Sequence, residues 1–263
     1  MIPSEVRDIR LVKWDDFAKG DFAEFNESID SGDAWILKGA FAPGFIDVMK
    51  RRVDAWWKLN PSSFHKMLDF CPDFHREIDS ETGKLYSIHA CKHSSYFFRW
   101  NDDPLGIWPQ ITEKWRILKL AMGMKPDEYE DNRPSDGPTD RIQVVRYLPK
   151  VGYLEPHRDA YEHQKCFISG YMSKRGVDYQ GGGFYFVKDG KAVYAEDDID
   201  VGDLCLGHAN LLHGVAPVDR DKEPDWNAVD GRWFLGLYSN ASDYETKRST
   251  SKPEKIEIEG VRP

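Results

Sequence analysis

The chain has 263 residues, 40% of them hydrophobic and 13% aromatic, and a formal net charge of −9. At about 100–200 residues per domain this length fits one large domain or a core with an attached helical layer, and the composition is that of a globular chain with a sizeable core. The acidic balance, with Lys and Arg scattered instead of clustered, excludes nucleic acid as an expected partner, and no stretch approaches the ~20 apolar residues of a membrane span, so a soluble, cytoplasmic chain is expected.

In chain order, residues 33–39 have strand character, and Pro43 opens a helix in which Phe45, Val48, Met49, Val53 and Trp56 recur at helical spacing. A second helix is predicted over 108–122, with Pro109 in its first turn, Ile111, Trp115, Leu118 and Met122 on one side, and its Lys and Arg residues facing water. Residues 60–103 show no sustained period and read as mostly loop with short strands, and 131–140 as a polar connector. From Arg141 onward, short strand-like segments at 141–148, 154–159, 166–173, 183–187, 191–194, 203–206, 213–218 and 232–239 are separated by Gly, Pro and Asp. Such spacing predicts a mainly β protein with flanking helices and a jelly-roll or barrel core. The expected organisation is one compact domain: a helical and loop layer over 1–140 that supports and covers the core, a catalytic core over 141–240, and a polar tail over 241–263 with an edge strand at 255–259.

On a strand, residues i and i+2 point to one side, so His157 and Asp159 present an imidazole and a carboxylate to the same point while Arg158 turns away. His213, at the start of a later strand 54 residues after Asp159, would supply a third ligand. Two histidines and one carboxylate capping one face of an ion form the triad of non-haem Fe(II) sites, with positions left open for substrate and oxygen. A bare His-x-Asp is expected by chance about once in a chain of this composition, so the surrounding strands carry the weight.

Those surroundings are Gln143-Val-Val-Arg-Tyr147 leading into the His-x-Asp strand, Asp178-Tyr-Gln-Gly-Gly-Gly183, Val201-Gly-Asp203, and His213-Gly-Val-Ala-Pro-Val218. With them, from Arg141 to Ser239, the sequence resembles the Fe(II)/2-oxoglutarate-dependent dioxygenases, whose core is a double-stranded β-helix. The resemblance implies Fe(II) on His157, Asp159 and His213, 2-oxoglutarate as co-substrate, O2 as oxidant, and ascorbate supporting activity. It also implies that Arg232 holds the distal carboxylate of 2-oxoglutarate, for which a planar guanidinium fork is suited. Arg232 lies 19 residues after His213, longer than the usual separation, and the excess is placed in the polar insertion 219–230. Phe234 stands where many relatives have Ser, so a second contact must come from elsewhere, with Tyr147 the first choice and Arg220 the rival anchor to Arg232. The implied reaction is hydroxylation of a small molecule, an amino acid or specialised metabolite, with release of succinate and carbon dioxide. Asp159 argues against chlorination, because related halogenases have Gly or Ala there.

Other readings of the same residues stay open at this level. His157 with Asp159 could be a structural pair and His213 a core histidine, Arg232 could pair with a protein carboxylate, and Tyr147 could be a core aromatic. The iron site could instead desaturate or cyclise, or the jelly roll could be a catalytically silent binding protein. Gly181-Gly-Gly183 reads as a strand turn and His208 as a turn or pocket wall. Cys71, His75, His89 and Cys91 match no common zinc module, and the four cysteines read as reduced thiols. The segment 89–100 is a candidate substrate wall, with His89, Lys92 and Arg99 as its polar members. Nothing in the sequence fixes an oligomeric state.

Overall fold

The computed structural model describes residues 2–261. Its strands are β1 (Ile9–Lys13), β2 (Ala34–Lys38), β3 (Phe74–Ile78), β4 (Ala90–Phe98), β5 (Thr139–Tyr147), β6 (Tyr153–Arg158), β7 (Cys166–Tyr171), β8 (Gly183–Lys188), β9 (Lys191–Val193), β10 (Leu204–His208), β11 (His213–Ala216), β12 (Arg232–Asn240) and β13 (Lys252–Pro253). The helices are α1 (Trp14–Phe17), α2 (Phe22–Asp30), α3 (Pro43–Leu59), α4 (Ser80–Gly83) and α5 (Trp108–Ala121). No helix among the described residues is long and apolar enough to cross a membrane.

The larger sheet runs β1-β2-β10-β7-β12-β5-β4 with β3 at its end, and the smaller runs β6-β11-β8-β9. β4 joins them, pairing with β5 through most of its length and with β6 at Ala90 and Cys91. The result is the jelly roll expected from the strand spacing, with helices on the outer face of the larger sheet. Strand alternation sorts the side chains into two cores. Trp233, Leu235 and Leu237 of β12 pack with the helices, whereas Phe234 packs with Tyr147, Phe184 and Val215 between the sheets. Both faces of β12 are therefore buried, which explains its nearly continuous apolar run.

The helical stripe in α3 differs from expectation by one position. Ile46, Met49, Val53 and Trp57 are the buried residues, and Phe45 and Trp56 only flank them. Lys119 of α5 is also a correction: it is buried, and its ammonium donates to the carboxylate of Asp140 and the carbonyl of Glu128. The stretch expected to be mostly loop contains the nine-residue β4. Two earlier strands, β1 and β2, extend the larger sheet beyond β10, so residues before Arg141 supply part of the sheet itself. In the tail, the edge strand expected at 255–259 is absent; Lys252–Pro253 pairs with β6 instead, and Glu259 makes a single bridge to Lys191. Glu254 N–H still donates to the Pro156 carbonyl and its carboxylate accepts from Arg158, and the exposed residues 255–257 beyond it suit solvent instead of a strand. The last two residues of the expected tail, Arg262 and Pro263, lie outside the described residues.

Candidate active site

His157 and His213 sit directly opposite each other where β6 and β11 pair, with ring centroids 4.3 Å apart. Asp159 follows the end of β6, its backbone N–H donating to the carbonyl of Ala209. Its two carboxylate oxygens lie 3.5 Å from His157 Nε2 and 3.8 Å from His213 Nε2. One ligand atom from each residue lies within 4.8 Å of the others, and this is the group of three or more such residues found among the described residues. Ligand atoms held about 2.0–2.2 Å from one ion stand roughly 3–3.5 Å apart, so a small contraction would close the triad on a metal.

The hydrogen bonds around the imidazoles decide which nitrogen faces that point. His157 Nδ1 is 2.9 Å from the carbonyl of Glu155 and His213 Nδ1 is 2.9 Å from the carbonyl of Leu211. A carbonyl only accepts, so each Nδ1 carries a proton and each ring turns its Nε2 toward Asp159, where a metal would take the Nε2 lone pair. Burial, followed by the neighbouring charge of His157, pushes the His213 imidazolium down to about 4, so this ring is neutral at physiological pH. Burial alone would raise Asp159, but the hydrogen bond and charge of His157 and the charge of His213 outweigh it and hold the carboxylate well below its ordinary range. Ser251 also donates to Asp159 Oδ1 at 2.7 Å.

From the triad a narrow cleft, lined by Tyr147, Ser169, Phe184, Arg232 and Phe234, runs between the sheets. Arg232 and Tyr147 are cross-strand partners on β12 and β5, and both are buried. Arg232 Nε donates at 2.5 Å to Glu196 Oε1, so the alternative of a protein ion pair is realised through that nitrogen. Glu196 is itself anchored by donation from the Tyr179 hydroxyl and from Phe184 N–H. Two buried polar atoms remain without a partner in the cleft: Arg232 Nη1 and the Tyr147 hydroxyl. Buried donors of this kind are normally satisfied, and a carboxylate oxygen would satisfy them. The donor set thus fits a metal at one end and an anion at the other. The cleft measures only about 30 Å³, room for about two waters, so a five-carbon diacid requires displacement of a side chain such as Phe234. Arg220, the rival anchor, is exposed and does not line the cleft.

On the other side of Phe234 and Tyr238 the triad opens into a larger cavity of about 400 Å³. Of the three residues expected in a substrate wall, Lys92 lines it. His89 and Arg99 do not line it. His89 lies just before β4, half exposed beside Glu155, and Arg99 lies just past its end, where it faces Glu130 and the Trp108 ring. Within β4 only alternate residues reach the cavity: Ala90, Lys92, Tyr96 and Phe98. Residues 248–251 roof it, which brings the polar tail into the site. His208, the last residue of β10, accepts from Asn210 N–H in the turn that follows. His75 is engaged by the carbonyl of Asn60 and by His93, and burial pushes the thiols of Cys71 and Cys91 up to about 11. Gly182 and Gly183 form the turn into β8, and Asp219 accepts from the N–H groups of Gln180 and Gly181. Sequence reasoning missed Glu196, Ser251 and Arg141. Arg141 and Gln143, alternating with Ile142 and Val144, gave a legible sign of a polar inward face.

No protein-family model matches the sequence, and no curated relative aligns with it. Solved structures do match. The full-length thymine 7-hydroxylase of Neurospora crassa in complex with alpha-KG superposes with a TM-score of 0.54 at 11% identity, over 91% of this chain and 89% of its own. Its complex with alpha-KG and thymine gives 0.53 at 11% identity, over 97% and 93%. The C-terminally truncated apo form gives 0.52 at 12% identity, over 88% and 94%. The chain has the jelly-roll fold of the 2OG-Fe(II) oxygenases. At such identities the likeness is one of fold, and the residues of this chain carry everything further.

Proposed function

We propose that the protein is an Fe(II)- and 2-oxoglutarate-dependent oxygenase that hydroxylates a small molecule: R–H, 2-oxoglutarate and O2 give R–OH, succinate and CO2. The observation that carries this reading is that one cleft has a His-Asp-His triad with freed Nε2 atoms at one end and a buried guanidinium with an unpaired N–H at the other.

His157, Asp159 and His213 would hold the metal, and Arg232 with Tyr147 would hold the carboxylate of 2-oxoglutarate remote from it. Bound iron would couple reduction of O2 and decarboxylation of 2-oxoglutarate to oxidation of a substrate C–H bond. The chain does the positioning. The carbonyls of Glu155 and Leu211 fix the imidazole tautomers, Glu196 orients the guanidinium, and Phe184 and Phe234 keep water from the space between the ends. The adjoining cavity, within the usual ~300–1,000 Å³ of small-molecule sites, would receive the substrate beside Asp159.

The test is substrate-stimulated succinate release from pools of amino acids and metabolites, with Fe(II), ascorbate and 2-oxoglutarate, using Asp159→Ala as the control. Labelled O2 appearing in the product distinguishes hydroxylation from desaturation or cyclisation. If 2-oxoglutarate does not bind the metal-loaded protein and no pool raises succinate above the Asp159→Ala control, the proposal fails.

A further inference from the structure

The chain is strongly acidic, yet the larger cavity is not. Arg76, Lys92, Arg141 and Arg248 line it against two carboxylates, Asp159 and Asp243. Both carboxylates are engaged: Asp159 belongs to the triad, and Asp243 is paired with Arg248 at 2.8 Å. Among the described residues neither Lys92 nor Arg141 forms an ion pair. Arg141 is held in a particular way. Its guanidinium lies over the rings of Tyr96 and Tyr238, 5.2 and 5.3 Å from their centroids, Nη2 donates to Gln143 Oε1 at 3.1 Å, and Nε is buried without a partner. With rings beside its faces, what a guanidinium has left to offer is its in-plane N–H edge, which matches the two oxygens of a carboxylate.

Lys92 reaches the same wall from β4, and burial, only partly offset by the attraction of Asp159 and reinforced by the Arg141 charge, pushes its ammonium down to about 8. Both side chains are half-buried and line the cavity without an ion-pair partner, Lys92 entering six residues along β4 from Phe98, the cross-strand partner of Arg141, so the cavity offers an anion two unpaired cations. Ile78, Ile88, Phe74, Phe98 and Leu154 give the lining an apolar and aromatic stretch, beside neutral polar groups such as Gln143, Asn240 and Thr250.

We infer that Arg141, with Lys92 as a second cation of the cavity wall, forms a carboxylate-binding subsite, and that the substrate is an organic acid whose hydrocarbon or aromatic body lies along the Phe74–Phe98 wall beside the triad. This rests on the oxygenase reading of the adjoining triad. It assigns the acid to the substrate and not to 2-oxoglutarate, because Lys92 and Arg141 line the larger cavity while Arg232 lies in the cleft beyond Phe234.

The experiment is calorimetry on the full chain loaded with Mn(II) and saturating 2-oxoglutarate. The probes are benzoate, 3-phenylpropanoate and octanoate, each matched with its primary amide. At least one acid is expected to bind about tenfold or more tightly than its amide, and Arg141→Gln or Lys92→Met is expected to remove that preference. The wild-type comparison stands alone if a variant fails to fold. Parity of every acid with its amide, non-binding included, overturns the inference, as does displacement of 2-oxoglutarate by the probes. Acid preference without succinate formation on adding Fe(II) would sink the oxygenase reading and leave the subsite intact. Succinate release stimulated only by neutral compounds would do the reverse.

Discussion

Arg232 Nε and Glu196 Oε1 meet at 2.5 Å with both side chains buried, so the charge at the blind end of the cleft is balanced before any ligand arrives. Burial would lower the Arg232 pKa, but the Glu196 carboxylate outweighs it and holds the guanidinium protonated. Removing one member of such a pair strands the other. Arg232→Met is expected to cost about 3–5 kcal/mol in denaturant unfolding. Arg232→Lys retains the charge without the fork and should weaken 2-oxoglutarate binding about tenfold or more, measured by titration of the metal-loaded protein. Undiminished affinity in the lysine variant would move the anchor away from this residue.

Ser251 donates to a carboxylate oxygen of Asp159 from a segment 92 residues further along the chain. Groups that orient a metal ligand typically contribute about 10–100-fold to metal affinity. Ser251→Ala is expected to weaken Co(II) or Fe(II) binding by that order while leaving the melting temperature of the metal-free protein within a few degrees. Unaltered affinity would show that Asp159 is oriented without it.

Asp73 titrates in an unusual range. Burial lifts its carboxyl to about 6 despite donation from Asn101 and Phe98 N–H. The folded value stands above the unfolded one, so the native state holds the proton more tightly. The resulting stability is present below about pH 4 and is lost as pH rises through 6. Asp73→Asn should therefore stabilise the protein at pH 7.5 by about 1–3 kcal/mol and change little at pH 4, as read from urea unfolding. An equal effect at both pH values would refute the assignment.

Gly182 and Gly190 both have positive φ, at 71° and 73°, but differ in their surroundings. A Cβ on Gly182 would lie 2.0 Å from the carbonyl oxygen of Pro217, whereas one on Gly190 meets nothing within 4 Å. Gly190→Ala carries only the left-handed backbone cost of about 1–2 kcal/mol, and Gly182→Ala adds backbone overlap and should cost roughly 2–4 kcal/mol. Equal melting temperatures for the two variants would contradict the packing of this turn.

The strands from β5 to β12 were legible because turn residues punctuate them and one face of each is apolar. β4 was not. Lys92 and Tyr96 face the cavity, while His93 and Ser95 on its opposite face meet Trp57, so polar residues occur on both sides and no period of two survives. Lys119 was misplaced for a related reason: a charge in a helix is expected in water unless its partner is known, and Asp140 is 21 residues away. The stripe in α3 slipped by one because Trp56 and Trp57 are adjacent, and only packing selects which is buried.

The sequence pointed to His157 and Asp159 through the alternation of side chains along a strand, which is local, and to His213 through the family resemblance of the motifs around it. It also determined the jelly-roll class, through the spacing of apolar segments. Tertiary structure decided the pairing of Arg232 with Glu196, the placement of Arg141 between Tyr96 and Tyr238, and the return of Ser251 to the site. Each of these depends on cross-strand register and loop path over tens of residues, which non-local packing sets and no local period encodes.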